Sequence, residues 1–331
     1  MCISYISVQS FIYKKNSVHL RKFLNKMTNM NQINSLTELE SFAYECAEKA
    51  GKIIIDSLED ELIINYKNSS STEKNSSDNP VSDIDQKVEK LIHDLVTSRF
   101  PDHGILGEET AEQVNQDAEY MWIIDPIDGT TNFINQYPLF CISIGILFNN
   151  RPVIGVIWCS TSHLLETGIY HAYLGSGLYF NKKPLTQFEN PNLKRRLSAA
   201  PGGAISSIQN VENRNTGSAA IELAFVAAGI FQTAQFYSLR IWDLAAGILL
   251  VKESGRKVLI KEGKDFKNFT EFTMPSSAKN NTEPSLRDWK EHILIGNKKS
   301  LEQLILKKQN QSKLSNFFNL IKKNLCFRFP K

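Results

Sequence analysis

The chain has 331 residues, 42% hydrophobic and 22% charged, with a formal net charge of +3. That is ordinary for a soluble globular protein and long enough for one large or two smaller packed units. No apolar run approaches the roughly 20 residues of a membrane span.

The charge is segregated. Residues 1–35 carry Lys14, Lys15, Arg21, Lys22 and Lys26 and no acid. Residues 303–331 carry Lys307, Lys308, Lys313, Lys322, Lys323, Arg328 and Lys331, again without an acid. The body between them is therefore acidic, which argues against nucleic acid as its substrate and leaves two basic ends able to touch an anionic surface. Cys2, Cys46, Cys141, Cys159 and Cys326 are an odd set without framework spacing, the pattern of reduced thiols in a reducing compartment. The first stretch, acid-free with Ser4, Ser7, Ser10 and Ser17, has transit-peptide character despite a single arginine. The competing reading starts the chain at Met27 or Met30. The expected location is cytoplasmic, or the plastid stroma if the extension is a transit peptide.

In chain order, a helix is predicted from Ser35, capped by Ser35 or Thr37, with Leu39, Phe42, Ala43, Cys46, Ala47, Ala50, Ile53, Ile54 and Leu58 at helical spacing. Asn68 to Asn79 reads as a polar loop. Val81-Ser82-Asp83-Ile84-Asp85 leads into a second amphipathic helix, which ends before Pro101. Gly104 to Glu109 is a short strand ending in two acids. Trp122-Ile123-Ile124-Asp125 is a buried strand running into Pro126-Ile127-Asp128-Gly129-Thr130-Thr131. A hairpin follows, Phe140–Phe148 and Val153–Trp158 about an Asn149-Asn150 turn. Leu165–Tyr173 and Gly177–Phe180 read as strands.

Residues 186–216 are poor in signal, and the subdomain boundary is placed there. Gly217-Ser218-Ala219-Ala220 opens a helix that stops at Gly229; Gln232–Tyr237 is a strand; Trp242-Asp243 begins a helix that ends near Gly255. Lys257–Ile260 and His292–Ile295 are strands, Ser300–Lys308 a helix, and Phe317–Lys323 a short basic amphipathic helix. The expected organisation is a basic extension over 1–35, an α+β subdomain holding the metal site over 36–185, an α/β subdomain over 186–308 and a basic tail over 309–331.

Five acids stand at the ends of elements: Asp85, Glu108, Asp125, Asp128 and Asp243. All but Asp85 lie in apolar or glycine-rich settings where a surface carboxylate is out of place. Carboxylates at the end of a buried strand concentrate negative charge that cations relieve. Oxygen-only ligands without a local His or Cys cluster select Mg²⁺, Mn²⁺ or Ca²⁺ over zinc. A pair of Mg²⁺ ions is a device for phosphoryl transfer, and a glycine turn opening a helix offers N–H groups to a phosphate. Asp-Pro-Ile-Asp-Gly-Thr alone is equally a turn with a helix cap. Trp-Ile-Ile before it, Gly-Glu-Glu upstream and Trp-Asp downstream favour the metal reading.

That set of segments resembles the inositol monophosphatase family of Mg²⁺-dependent, lithium-sensitive phosphomonoesterases, in its bacterial and cyanobacterial-type branch. The segments are Val81 to Glu89, Gly107-Glu108-Glu109, Trp122 to Phe133, Gly217 to Ala220 and Trp242 to Gly247, and the likeness runs from about residue 36 to about 308. The resemblance implies a layered α-β-α-β-α fold of the α/β class and a homodimer. It implies that Glu108, Asp125 and the Ile127 carbonyl hold a first Mg²⁺ and that Asp125, Asp128 and Asp243 hold a second, with a third, weaker ion on Glu108. Glu108 and Thr130 would orient and activate water, with Asp85 bonded to the Thr130 hydroxyl. Gly129 and Thr130 would hold the phosphate through their N–H groups, and Ala219 would touch substrate through its backbone. Glu109, pointing the other way along its strand, is expected to be a support residue, and Trp242 to be core packing.

The chain departs from the family pattern in three places. Inositol-specific members carry a Glu six residues before the Trp-Asp pair, and here Phe236 stands there, unable to accept hydrogen bonds from substrate hydroxyls. The segment between Leu185 and Gly217 looks short. The usual Gly-Gly after the Asp helix is Gly255-Arg256. Arg240 is expected either to face the pocket, favouring a second anion on the substrate, or to be solvated. The leading expectation is a Mg²⁺-dependent phosphomonoesterase acting on a small polyol or sugar phosphate by water activation, like an inositol-1-phosphate phosphatase. Alternatives are a histidinol-phosphate phosphatase, a 3′-phosphoadenosine 5′-phosphate phosphatase, the latter favoured if Arg240 or Arg214 reaches the pocket, and a non-catalytic macromolecular binding role through the basic tails.

Overall fold

The computed structural model describes residues 30–59, 62–66, 80–110, 114–186, 192–200, 210–263, 265–274 and 285–306. The expected loop at 68–79, the tail helix at 317–323 and both basic ends lie outside these residues. Helix α1 (Met30–Asp56) starts ahead of the expected cap, so Ser35 and Thr37 are helical residues. It buries Leu36, Leu39, Ala43, Cys46, Ala47, Ala50 and Ile54 along one face. Strands β1 (Ile64–Tyr66) and β2 (Pro80–Ser82) form a two-stranded antiparallel pair. Helix α2 (Asp83–Arg99) is capped by Ser82 and stops at Phe100, ahead of Pro101.

The first large sheet holds β3 (Gly104–Gly107), β4 (Tyr120–Asp128), β5 (Cys141–Phe148), β6 (Arg151–Cys159), β7 (Gly168–Tyr173), β8 (Tyr179–Phe180) and β9 (Lys183–Pro184) side by side in that order. Only β3 and β4 run parallel. The β5–β6 turn is Asn149-Asn150, both with positive φ (47° and 64°), as a two-residue hairpin with right-twisted strands requires. Strand β7 begins later than expected: Leu165 has φ of 59° and is 90% exposed, outside the sheet.

Side chains alternate across this sheet. Trp122, Ile124, Ile142, Ile144, Ile146, Ile154, Val156 and Trp158 pack with α1 and α2. Met121, Ile123, Leu147, Ile157, Cys159 and Tyr170 face the other way, onto α4 (Ala219–Ala228) and α5 (Ile241–Glu253). Helix α5 lies almost against the sheet backbone. A Cβ at Gly155 would sit 2.3 Å from the Ala246 carbonyl oxygen, so only glycine fits there.

Beyond those helices lies the second sheet. Its strands are β10 (Arg196–Ala199), β11 (Val211–Arg214), β12 (Phe231–Leu239), β13 (Lys257–Glu262), β14 (Asp265–Asn268) and β15 (Glu291–Gly296), in the order β11-β10-β12-β15-β13-β14. Leu294 on its far face packs with Leu301 and Leu304 of a terminal helix, α6 (298–306). The layers therefore run α-β-α-β-α, the arrangement the resemblance implied. The segment at 186–216, poor in sequence signal, supplies β10 and β11. They are four residues each, too short for periodicity to leave much trace. Among the described residues no helix is long and apolar enough to cross a membrane.

Candidate metal centre

Strand β4 delivers Asp125 and Asp128 to the end of the first sheet. Its eight residues from Met121 to Asp128 are all buried, so the chain carries two carboxylates into an apolar interior. A register shift against β5 between Asp125 and Asp128 turns both acids toward one end of the sheet. Gly129 then adopts φ of 94°, and the short helix α3 (Thr130–Ile134) begins. Asp243 arrives from the second half of the chain, in the first turn of α5. Oxygen atoms of Asp125, Asp128 and Asp243 lie within 4.8 Å of one another.

The electrostatics of this cluster call for a cation. Asp125 is 1% exposed, and its Oδ1 has no hydrogen-bond partner. Burial raises its pKa well above the ordinary value, and the charges of Glu108, Asp128, Asp243 and Asp85 raise it further. Asp243 is raised well above the ordinary value by burial first, then by Asp128 and Glu108. Burial pushes Asp128 up to about 6 against hydrogen bonds from Ala220 and Ser218. An orphaned buried carboxylate oxygen and an all-oxygen donor set fit a hard divalent cation, which would replace the missing partner and hold the acids ionised.

The other expected site residues gather at the same place. Glu108 follows β3, and its N–H donates to Ile124 O at 3.1 Å, one residue before Asp125 on β4. Asp85 is 1% exposed. Its Oδ2 accepts from Ser82 N at 2.8 Å and Ser82 Oγ at 2.5 Å, and its Oδ1 lies 3.2 Å from Thr130 Oγ1. The same Thr130 hydroxyl lies 2.9 Å from the Ile127 carbonyl oxygen. Asp85 is raised by burial, against the Ser82 hydrogen bonds. Ala219 is the first residue of α4, next to Ala220, whose N–H donates to Asp128 Oδ2.

Two expected substrate residues are placed differently. Phe236 is wholly buried in the apolar layer between the second sheet and α4 and α5. Its ring therefore offers no surface to a ligand, and the exposed neighbour is Tyr237. Arg240 lies with its guanidinium 5.7 Å from the Trp242 ring centroid and donates to the Arg287 carbonyl at 3.1 Å. Arg214 pairs with Glu212 on the exposed edge strand β11.

Several supporting residues went unread in the sequence. Ser218 Oγ donates to Asp128 Oδ2 at 2.8 Å and caps α4 through Ile221 N–H. Buried Glu222 accepts from Thr216 N–H at 2.9 Å and Thr216 Oγ1 at 3.2 Å, and burial lifts its pKa to about 7. Asn132 Nδ2 spans Leu139 O and Thr216 O, stitching the Asp128 turn to the α4 entrance. Glu89, 2% exposed, accepts the N–H groups of Glu109 and Thr110. Its position four residues after Asp85, on the same helix face, was a usable signal. Arg287 had none.

An all-oxygen acidic cluster at the end of a buried strand, next to a glycine turn opening a helix, is the kind of site that metal-dependent phosphoryl-transfer enzymes use, set here in a five-layer fold. The sequence profile of the inositol monophosphatase family matches residues 35–314, and the chain belongs to that family. It is 33% identical over 244 residues to inositol-1-monophosphatase of Bacillus subtilis, covering 70% of this chain and 88% of that protein. It is 34% identical over 199 residues to Nus factor SuhB of Xylella fastidiosa, covering 56% of this chain and 70% of that protein. The solved inositol monophosphatase of an Anabaena (Nostoc) species superimposes with a TM-score of 0.59 at 28% identity, covering 80% of this chain and 92% of that one. Enzymes of this family are phosphoric monoester hydrolases, generally dependent on metal ions.

Proposed function

We propose that the chain hydrolyses a small polyol or sugar phosphate with two or three Mg²⁺ ions, as a homodimer. The observation that carries this is the Asp125–Asp128–Asp243 cluster within 4.8 Å, with the Asp125 oxygen left unpartnered. Glu108, Asp125 and the Ile127 carbonyl would hold one ion, Asp125, Asp128 and Asp243 a second, and Glu108 would share a weaker third. When bound, such ions lower the pKa of a water and offset charge on the phosphate oxygens.

The protein's own groups do the rest. Thr130 accepts from and orients the attacking water, because its own proton is directed to Asp85 Oδ1 or Ile127 O. Asp85, locked by Ser82, fixes that hydroxyl, and Glu108 takes up the proton the water loses. The N–H groups of Gly129 and Thr130 open α3 toward the phosphate, and the Ala219 backbone borders the substrate. With Phe236, buried in the core, standing where inositol-specific members carry a Glu, that position offers no acceptor to inositol hydroxyls, which favours a substrate other than inositol 1-phosphate. The relative named Nus factor SuhB supports a second reading, macromolecular binding through the basic ends. The cytoplasm, or the plastid stroma if the extension is a transit peptide, is the proposed location.

The test is a comparison of kcat/KM in Mg²⁺ for inositol 1-phosphate, histidinol phosphate and 3′-phosphoadenosine 5′-phosphate. Magnesium-dependent phosphate release from one or more supports hydrolysis. Absence of release from all three, with a partner retained only when residues 303–331 are present, would replace it with the binding reading.

A further inference from the structure

We infer that Arg287 is a positioning residue that couples the two halves of the metal centre, holding the Glu108 loop in register with the Asp243 helix. The inference rests on the proposed roles of Glu108 and Asp243 as metal ligands. Arg287 belongs to a single 3₁₀ turn (Leu286–Asp288) ahead of β15, remote in sequence from both acids.

Its guanidinium fork reaches three carbonyls of the loop that carries Glu108, those of Gly107, Glu108 and Thr110. Nη1 donates to Gly107 O, and Nη2 donates to Glu108 O at 2.9 Å and to Thr110 O at 2.8 Å. The N–H side of the same loop is taken by Glu89. Its carboxylate accepts Glu109 N–H at 2.8 Å, Thr110 N–H at 2.7 Å and the Thr110 hydroxyl. The loop is gripped from both sides, and Gly107 makes the grip possible. A Cβ there would meet the Glu89 carboxyl carbon at 2.4 Å. With its own N–H on Ile124 O and its carbonyl on Arg287, Glu108 has both backbone groups fixed.

The same residue also packs on the start of the Asp243 helix. Its guanidinium carbon lies 5.1 Å from the Trp242 ring centroid, on the residue next to Asp243. Its backbone carbonyl accepts from Arg240 Nη1, and the Arg240 N–H donates to Asp243 Oδ2 at 2.8 Å. One side chain therefore touches the loop of one proposed ligand and the helix start of another. A planar, multiply donating cation is required for this. Lysine would supply the charge from one compact nitrogen, without the two nitrogens of a planar fork set apart, and would not stack on the indole in the same way.

The experiment titrates full-length wild type, Arg287→Lys, Arg287→Ala and Glu89→Gln with Mn²⁺, reading free ion by electron paramagnetic resonance, and measures the Mg²⁺ dependence of turnover. Each variant's fold is checked by circular dichroism. In Arg287→Lys, Mn²⁺ affinity should fall by about 10-fold or more at one or more sites and half-activation by Mg²⁺ should rise similarly, the size usual for groups that orient metal ligands. The fall should appear in kcat, with KM for the phosphate ester within about threefold, since nothing touching substrate has changed. Glu89→Gln should move the same parameters in the same direction even if Arg287→Ala does not fold. Folded Arg287→Lys and Glu89→Gln proteins with wild-type Mn²⁺ binding and Mg²⁺ activation would overturn the coupling. Asp243→Asn separates the two ideas. If it too binds Mn²⁺ as wild type does, the ligand assignment fails; if it alone loses the ion, only the coupling fails.

Discussion

The Asp128 carboxylate and the Ala220 N–H meet at 2.5 Å although 92 residues separate them. Asp128 ends a strand of the first sheet, and Ala220 lies in the first turn of α4. The same Oδ2 takes the Ser218 hydroxyl, so one oxygen is spent on the helix entrance and the other is left for the centre. A carboxylate at a helix N-terminus is favoured by the exposed N–H groups and by the dipole. Asp128 thus joins the two halves of the molecule at the point where the chemistry is assembled.

Asp128→Ala should therefore lose stability as well as activity. It strands a buried N–H and a buried hydroxyl, a loss on the order of 2–4 kcal/mol. Urea unfolding in chelator should register it. Asp128→Asn, which keeps an accepting oxygen, should recover most of the stability without the metal.

Asp125→Asn should behave in the opposite sense. Asp125 is raised by burial and by four neighbouring carboxylates, so in the metal-free protein its ionised form is destabilising at neutral pH. The variant should melt higher than wild type in chelator, yet show no stabilisation by Mg²⁺ and turnover at least about 1000-fold lower. Wild-type turnover would remove Asp125 from the centre.

The Thr130 hydroxyl lies between Asp85 Oδ1 and Ile127 O. Thr130→Ser keeps that hydroxyl and should retain most of kcat. Thr130→Val keeps the shape and loses the hydroxyl, and should lower kcat by about 100-fold with little change in KM. Steady-state kinetics at saturating Mg²⁺ distinguish the two.

Glu222 gives a pH dependence with a defined sign. Burial raises its folded pKa to about 7, above that of the unfolded chain. A carboxyl raised in this way favours the fold fully below its unfolded pKa, and that advantage is lost as pH rises to about 7. Glu222→Gln keeps an oxygen for Thr216 and cannot ionise. The variant should match wild type near pH 4 and exceed it increasingly toward pH 8, by up to about 3 kcal/mol. Paired denaturation curves across that range measure the difference.

Gly155→Ala tests the contact between layers. Its Cβ would press on the Ala246 carbonyl at 2.3 Å, where neither strand nor helix backbone can yield easily. A cost of about 1–3 kcal/mol is expected by thermal or urea unfolding, from overpacking.

Much of the fold was legible because its longest elements are strongly patterned. Trp122 to Asp128 reads as a buried strand ending in acids whatever surrounds it, and Asn149-Asn150 reads as a hairpin turn. Helices α2, α4 and α5 were marked by Ser82 and by Gly229 and Gly255, whose φ values of 90° and 78° need glycine. Strands β10 and β11 were missed because four residues are too few to show a period. The extra turn of α1 was missed because Ser35 and Thr37 resemble caps.

The local sequence pattern pointed to the proposed chemistry: it singled out acids in settings too apolar for mere surface charge, and oxygen ligands beside a glycine turn suit a divalent cation and a phosphate. Those properties belong to residue types and local order, so they survive without coordinates. How the acids meet, by contrast, follows from long-range packing. Asp243 and Asp128 come together through the packing of α5 on the first sheet, the Phe236 ring is drawn into the core, and Arg287 reaches three carbonyls some 180 residues earlier in the chain. Such contacts depend on the distance between layers and the direction of a side chain, which no local pattern encodes.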